Sequence, residues 1–230
     1  MPRETIPRRV VGLRIVRRLP PSGPGFLSLF RAVLRNEYES GESSAAYRYE
    51  MVERRGIDSV AIMPFFRGAS PVRVLVKAGF RPALFLRGSR PAPGEPARKR
   101  SWTVEAVAGS LEPGETSVAQ IRRRAARELR EETGYRVRPE DFRPLGAGFF
   151  PSHGQCTEKI HLFAVCLDHR AASLPKGDGS INEAETWSLL LGARDLIARC
   201  RTGEIEDPKL EIGVVRLLEH LRRRGRGGLA

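Results

Sequence analysis

The stretch Gly109–Tyr135 constrains this chain more than any other. It opens with Gly109-Ser110-Leu111-Glu112-Pro113-Gly114-Glu115 and closes with Arg127-Glu128-Leu129-Arg130-Glu131-Glu132-Thr133-Gly134-Tyr135. Thr116 or Ser117 can cap a helix start with a side-chain oxygen, and Gly134 suits the left-handed residue that ends one. Thr116 to Thr133 is therefore expected to be the best helix of the chain. Glu128, Glu131 and Glu132 then stand at i, i+3 and i+4, on one face. Like charges so spaced repel by roughly a few tenths of a kcal/mol per pair. A divalent cation turns that repulsion into coordination, and Mg²⁺ prefers carboxylates, retained water and phosphate oxygens. Glu128 and Glu132 are the better-placed pair for one ion, with Glu131 serving a second or acting through water. The carbonyl of Ala108 is placed to face the same ion. The bland alternative is a solvated helix with the i, i+4 pairs Arg124–Glu128 and Arg127–Glu131. The glycine loop before the helix, which lets backbone approach a ligand closely, favours the functional reading.

Around this helix the apolar pattern changes period. Ser59–Pro64 and Val72–Lys77 are short apolar runs suited to buried strands. Trp102–Ala108, Leu145–Phe150, Ile160–Leu167 and Glu185–Leu191 also read as strands. Ala193–Cys200 and Pro208–Arg224 read as helices, the latter with Pro in its first turn after Asp207. Interleaved strands and helices imply a layered α/β or α+β domain. Before residue 58 the chain is β-rich: Leu29–Arg35 and Ala46–Glu53 suit a hairpin with a long loop. The Pro-, Gly- and Arg-rich residues 87–101 read as a surface loop that orders on binding or dimerisation.

The 230 residues carry a formal net charge of +13. Lys occurs only at Lys77, Lys99, Lys159, Lys176 and Lys209, so nearly all the basic residues are Arg. Such a surface attracts nucleotides, nucleic acid or anionic lipid, but the charge is spread along the whole chain, as on ordinary solvated faces. Three cysteines without C-x-x-C spacing speak against a disulfide framework or a zinc site. The N-terminus lacks an uninterrupted apolar core, and Phe26–Leu34 is too short to span a bilayer. A reduced, cytoplasmic protein is expected. The four histidines show no ligand spacing, and Trp102 and Trp187 are read as packing residues.

The Gly109–Tyr135 stretch resembles the Nudix box, G-x5-E-x7-R-E-U-x-E-E-x-G-U with U apolar. Gly109 and Glu115 match its first half; Arg127, Glu128, Leu129, Glu131, Glu132, Gly134 and Tyr135 match its second. Residues 116–126 number 11, where the family has seven. The four extra residues approximate one helical turn, so either the helix starts a turn early or the loop bulges. The resemblance implies a structural pairing of Glu115 with the motif arginine, here Arg127. It also implies an α/β/α sandwich with a mixed sheet over residues 58–226, a small β-rich segment over 1–57 and a tail at 227–230.

Features outside the box resemble the ADP-ribose pyrophosphatase branch. Glu105-Ala106-Val107-Ala108-Gly109 is similar to its E-x-P-A-G lead-in, with Val107 in place of Pro. Phe149–Glu158 is similar to its aromatic–S-P-G–E segment, with His153 in place of Pro. Ile181–Glu185 resembles its acidic loop and Gly203–Asp207 its G-x-I-x-D element. The branch implies Mg²⁺-dependent (or Mn²⁺-dependent) hydrolysis of a nucleoside-diphosphate sugar to a nucleoside monophosphate and a sugar phosphate, in a homodimer built through the N-terminal segment. Glu183 or Glu185 is then the candidate base, with Glu131 the other candidate catalytic carboxylate. Glu105, Gly109 and Glu158 are candidates for contacting substrate or its metal. Arg81, in a segment similar to Q-Y-R-x-P, is a candidate phosphate ligand. Two other readings stand: a hydrolase of RNA 5′ ends or dinucleoside polyphosphates, which the charge and Arg222–Arg226 favour, and a non-catalytic nucleotide-sensing domain, which the insertion favours. Nucleic acid is the less favoured partner, and no membrane partner is expected.

Overall fold

The apolar run after residue 58 forms a strand buried over its whole length, β3 (Ser59–Phe66). It pairs along all eight residues, in parallel, with β8 (Ile160–Leu167). A parallel pair buried on both faces needs cover on both sides, and the chain supplies it. The computed structural model describes residues 26–54, 56–66, 71–88, 101–168 and 186–226. Within these, seven strands form one mixed sheet in which β3 lies between β8 and β4 (Arg73–Phe80). Side chains alternate across a strand. Val60, Ile62 and Phe66 therefore face Ile121, Ala125 and Leu129 of helix α2 (Val118–Thr133). Ala61, Met63 and Phe65 face Leu196 of α3 (Ala193–Arg201) and Leu210, Val214 and Leu217 of α4 (Pro208–Arg226). The result is the expected α/β/α sandwich. A short helix, α1 (Pro82–Arg87), follows β4, and β9 (Trp187–Gly192) pairs antiparallel with β4. No helix among the described residues is long and apolar enough to cross a membrane.

The expected strand Trp102–Ala108 is in fact two. β5 (Trp102–Glu105) pairs with β4, while β6 (Val107–Ser110) pairs with β3. The chain changes neighbours at Ala106, and its N–H, lost to the ladder, donates to buried Asp207 Oδ2 at 2.8 Å. The expected strand Leu145–Phe150 is reduced to a bridge at Phe149, and the paired strand lies just before it, β7 (Arg143–Pro144). Pro144 has no N–H to give; Leu145 N–H still donates to Leu162 O at 2.8 Å, while Arg216 Nη1 takes the carbonyls of Leu145 (3.2 Å) and Ala147 (2.5 Å).

The expected N-terminal hairpin forms as β1 (Leu27–Leu34) and β2 (Tyr47–Arg54), a separate two-stranded sheet. It touches the main sheet's side through Val52 N–H, which donates to Gln155 O at 2.8 Å, and through Arg54.

Candidate active site

Helix α2 is fixed by its own ends. Ser117 Oγ accepts from Gln120 N–H at 3.3 Å, while Gln120 Oε1 accepts from Ser117 N–H at 3.0 Å, a reciprocal cap. Gly134 ends the helix in the left-handed conformation (φ 77°). Residues 118–126 are helical throughout, so the four extra residues are a turn of helix and not a bulged loop.

That added turn changes the partner of Glu115. Its carboxylate is gripped by Arg124, Nε to Oε2 at 3.0 Å and Nη2 to Oε1 at 3.2 Å. Arg127, the expected partner, is mostly exposed and lies 3.6 Å from Glu131. The buried Arg124 also reaches Glu112 and Glu128, each at 3.6 Å. Partial burial pushes the Glu115 carboxyl up, but the Arg124 bond and the Glu112 N–H hold it below the usual carboxylate range. Burial lowers the Arg124 guanidinium, and Glu115 more than restores it.

On the sheet side, Gly109 lies directly beneath Glu128. A Cβ at residue 109 would stand 1.9 Å from Glu128 Cδ, so only glycine admits the carboxyl group there. One turn on, the buried Glu132 accepts from Ala108 N–H at 3.3 Å and from Lys77 Nζ at 2.5 Å. Lys77 shares the face of β4 that carries Leu75, the face turned to α2. Glu128 and Glu132 are thus brought together over Ala108–Gly109, Ala108 presenting its N–H to Glu132. Glu131 is more exposed and sits beside Arg127 and Arg130.

Beside this group, Arg81 and Glu105 form a two-point pair, Nε to Oε1 at 2.5 Å and Nη2 to Oε2 at 2.7 Å. The bond to Glu105 raises the Arg81 guanidinium further above its ordinary range. Glu105 is paired in register with Lys77 across β5–β4, which places the Arg81 pair next to the Lys77 pair. Glu158 goes elsewhere: it bonds Arg54 at 2.8 Å and the hydroxyl of Ser59. Arg54 also donates to Ser110 Oγ at 2.9 Å, so this clasp ties the hairpin to the residue after Gly109. Glu183 and Glu185 lie outside the described residues.

Sequence reasoning missed Lys77 and Arg54; it named Arg124 in the i, i+4 pair with Glu128, which forms at 3.6 Å, but not as the partner of Glu115. Only Lys77 carried a local signal, as the one Lys in the otherwise apolar Val74–Phe80. The hard oxygen donors over Gly109 suit Mg²⁺, which takes one or two carboxylates and completes its shell with water and phosphate. Among the described residues no three acidic, His or Cys side chains form a ready metal cage.

Residues 69–196, more than half of the chain, match the family model of the NUDIX domain. No curated protein matches the chain.

Proposed function

Since the chain belongs to the Nudix family, we propose that it hydrolyses the diphosphate bond of a nucleoside-diphosphate sugar of ADP-ribose type, with Mg²⁺ (or Mn²⁺), to a nucleoside monophosphate and a sugar phosphate. The observation that carries this is the convergence of Glu128 and Glu132 on the backbone at Ala108–Gly109, with the Arg81–Glu105 pair alongside. Glu128 and Glu132 would hold the ion, with Glu131 serving a second or acting through water. When bound, Mg²⁺ neutralises diphosphate charge and makes water acidic enough to attack phosphorus.

The side chains do the rest. Arg81 has donors beyond the two that it gives Glu105, and these suit a phosphate. Gly109 keeps the floor open, so that the phosphates approach the backbone. Glu183 or Glu185 takes the proton of the attacking water. Glu158 acts at one remove, through Arg54 and Ser59, on the placement of Ser110. Glu115, Arg124 and Gly134 hold the loop and helix in register. The exposed Phe26, Leu27, Leu29 and Val33 of the hairpin suit a homodimer contact. Free Cys156, Cys166 and Cys200 suit a reducing cytoplasm.

The test is a panel of nucleotide sugars, dinucleoside polyphosphates and 5′-triphosphate RNA, each with Mg²⁺. Monophosphate release from a nucleotide sugar is expected. Release from RNA or dinucleotides alone moves the substrate class, and no release from any member leaves a nucleotide-sensing domain.

A further inference from the structure

Lys77 has no counterpart among the features that led to the site. It is the one charged residue among the buried residues of β4. Its side chain is 6% exposed and that of Glu132 5%. Taking both charges out of water is costly, and a well-packed apolar pair would serve stability as well or better. Stability alone therefore does not account for an ammonium here. Its surroundings do. Glu132 stands one turn beyond Glu128, whose carboxyl group lies on Gly109, and its second oxygen meets the Ala108 amide at the long distance of 3.3 Å. A compact ammonium on a flexible stem supplies charge with little directional demand. It can neutralise a carboxylate and give way to another cation.

We propose that Lys77 is a resident counter-cation. Its ammonium balances Glu132 while no divalent ion is bound and competes with that ion for the carboxylate. This rests on the reading of Glu128 and Glu132 as metal ligands. It follows that the ion binds weakly to the protein alone and well together with a diphosphate, whose negative charge offsets that of Lys77. Metal and substrate then enter as a pair.

The experiment measures Mn²⁺ binding to nucleotide-free protein, by loss of the free-ion paramagnetic resonance signal, for the wild type, Lys77→Met and Lys77→Arg. Lys77→Met is expected to bind Mn²⁺ on the order of tenfold more tightly, a typical size for coupling between two sites. Lys77→Arg, which keeps the charge, should stay near the wild type. In thermal melts, Lys77→Met should lose stability without metal and regain more of it with Mn²⁺ than the wild type gains. Unchanged or weaker Mn²⁺ binding in Lys77→Met overturns the role of Lys77 alone. A wild type that binds no Mn²⁺ overturns the metal reading beneath it. Lys77→Gln, which keeps a polar end, carries the same comparison if Lys77→Met does not fold.

Discussion

The two ends of α2 hold the same kinds of group and use them in opposite ways. In the first half, the guanidinium of Arg124 gathers Glu112, Glu115 and Glu128, one of them largely exposed. In the second half, the ammonium of Lys77 meets Glu132 in the interior. A planar fork with several donors fixes geometry, whereas an ammonium contributes charge. The first end thus locks the glycine loop against the helix. The second leaves a carboxylate balanced but exchangeable. Glu128 belongs to both, because it touches Arg124 and also lies on Gly109.

The largest expected effect on activity strikes where the two ends meet. Gly109→Val drives a side chain into Glu128, and overpacking of this kind costs about 1–3 kcal/mol. Activity on the preferred substrate should fall by about 100-fold or more, as for other losses of site positioning. A variant that keeps full kcat/KM would show that Glu128 need not lie on that glycine. Leu129→Ala is next and should weaken both ends alike. The buried leucine sits between them, and its loss costs about 2–5 kcal/mol in chemical denaturation. Arg124→Lys separates the ends. It keeps the charge and loses the fork, so a loss of about 1–2 kcal/mol is expected, with Mn²⁺ binding less affected than stability. Equal losses in both would join the two ends into one unit.

The smallest effect is a pH dependence. The folded Glu115 carboxyl lies below its unfolded value, so the stability it contributes is fully present above the unfolded pKa and is lost as pH falls through the folded one. Melting temperature followed from about pH 5 to pH 3 should fall less steeply in Glu115→Gln than in the wild type. Identical slopes would remove Glu115 from the acid response.

What the sequence made legible follows from the range of each interaction. Helix α2, its caps and strands β3, β4 and β8 announce themselves through period, glycine and capping residues within a few positions. The carboxylates of the site share one helix and so were legible too. Their i, i+4 partners Arg124 and Arg127 were legible as well, but their long-range partners were not. Lys77 and Glu132 are 55 positions apart, and Arg54 and Ser110 are 56. Such pairs exist only once the sheet has placed them. The exchange of Arg127 for Arg124 as partner of Glu115 was hidden for another reason. The motif fixes residue spacing, while an inserted helical turn keeps the face and changes which arginine occupies it. The split at Ala106 was invisible because β5 and β6 read as one continuous strand, with no turn residue between them.

That split gives the site a built-in length scale. Glu105, which holds Arg81, and Gly109, which seats Glu128, stand four positions apart on one chain, pinned between them at Ala106 by Asp207. Extended backbone spans at most ~3.6 Å per residue, so the two anchors stand no more than roughly 14 Å apart. The chain between them acts as a covalent ruler between the Arg81 pair and the seat of Glu128. Adding one residue at Ala106 would lengthen it by up to ~3.6 Å and invert the facing of everything beyond.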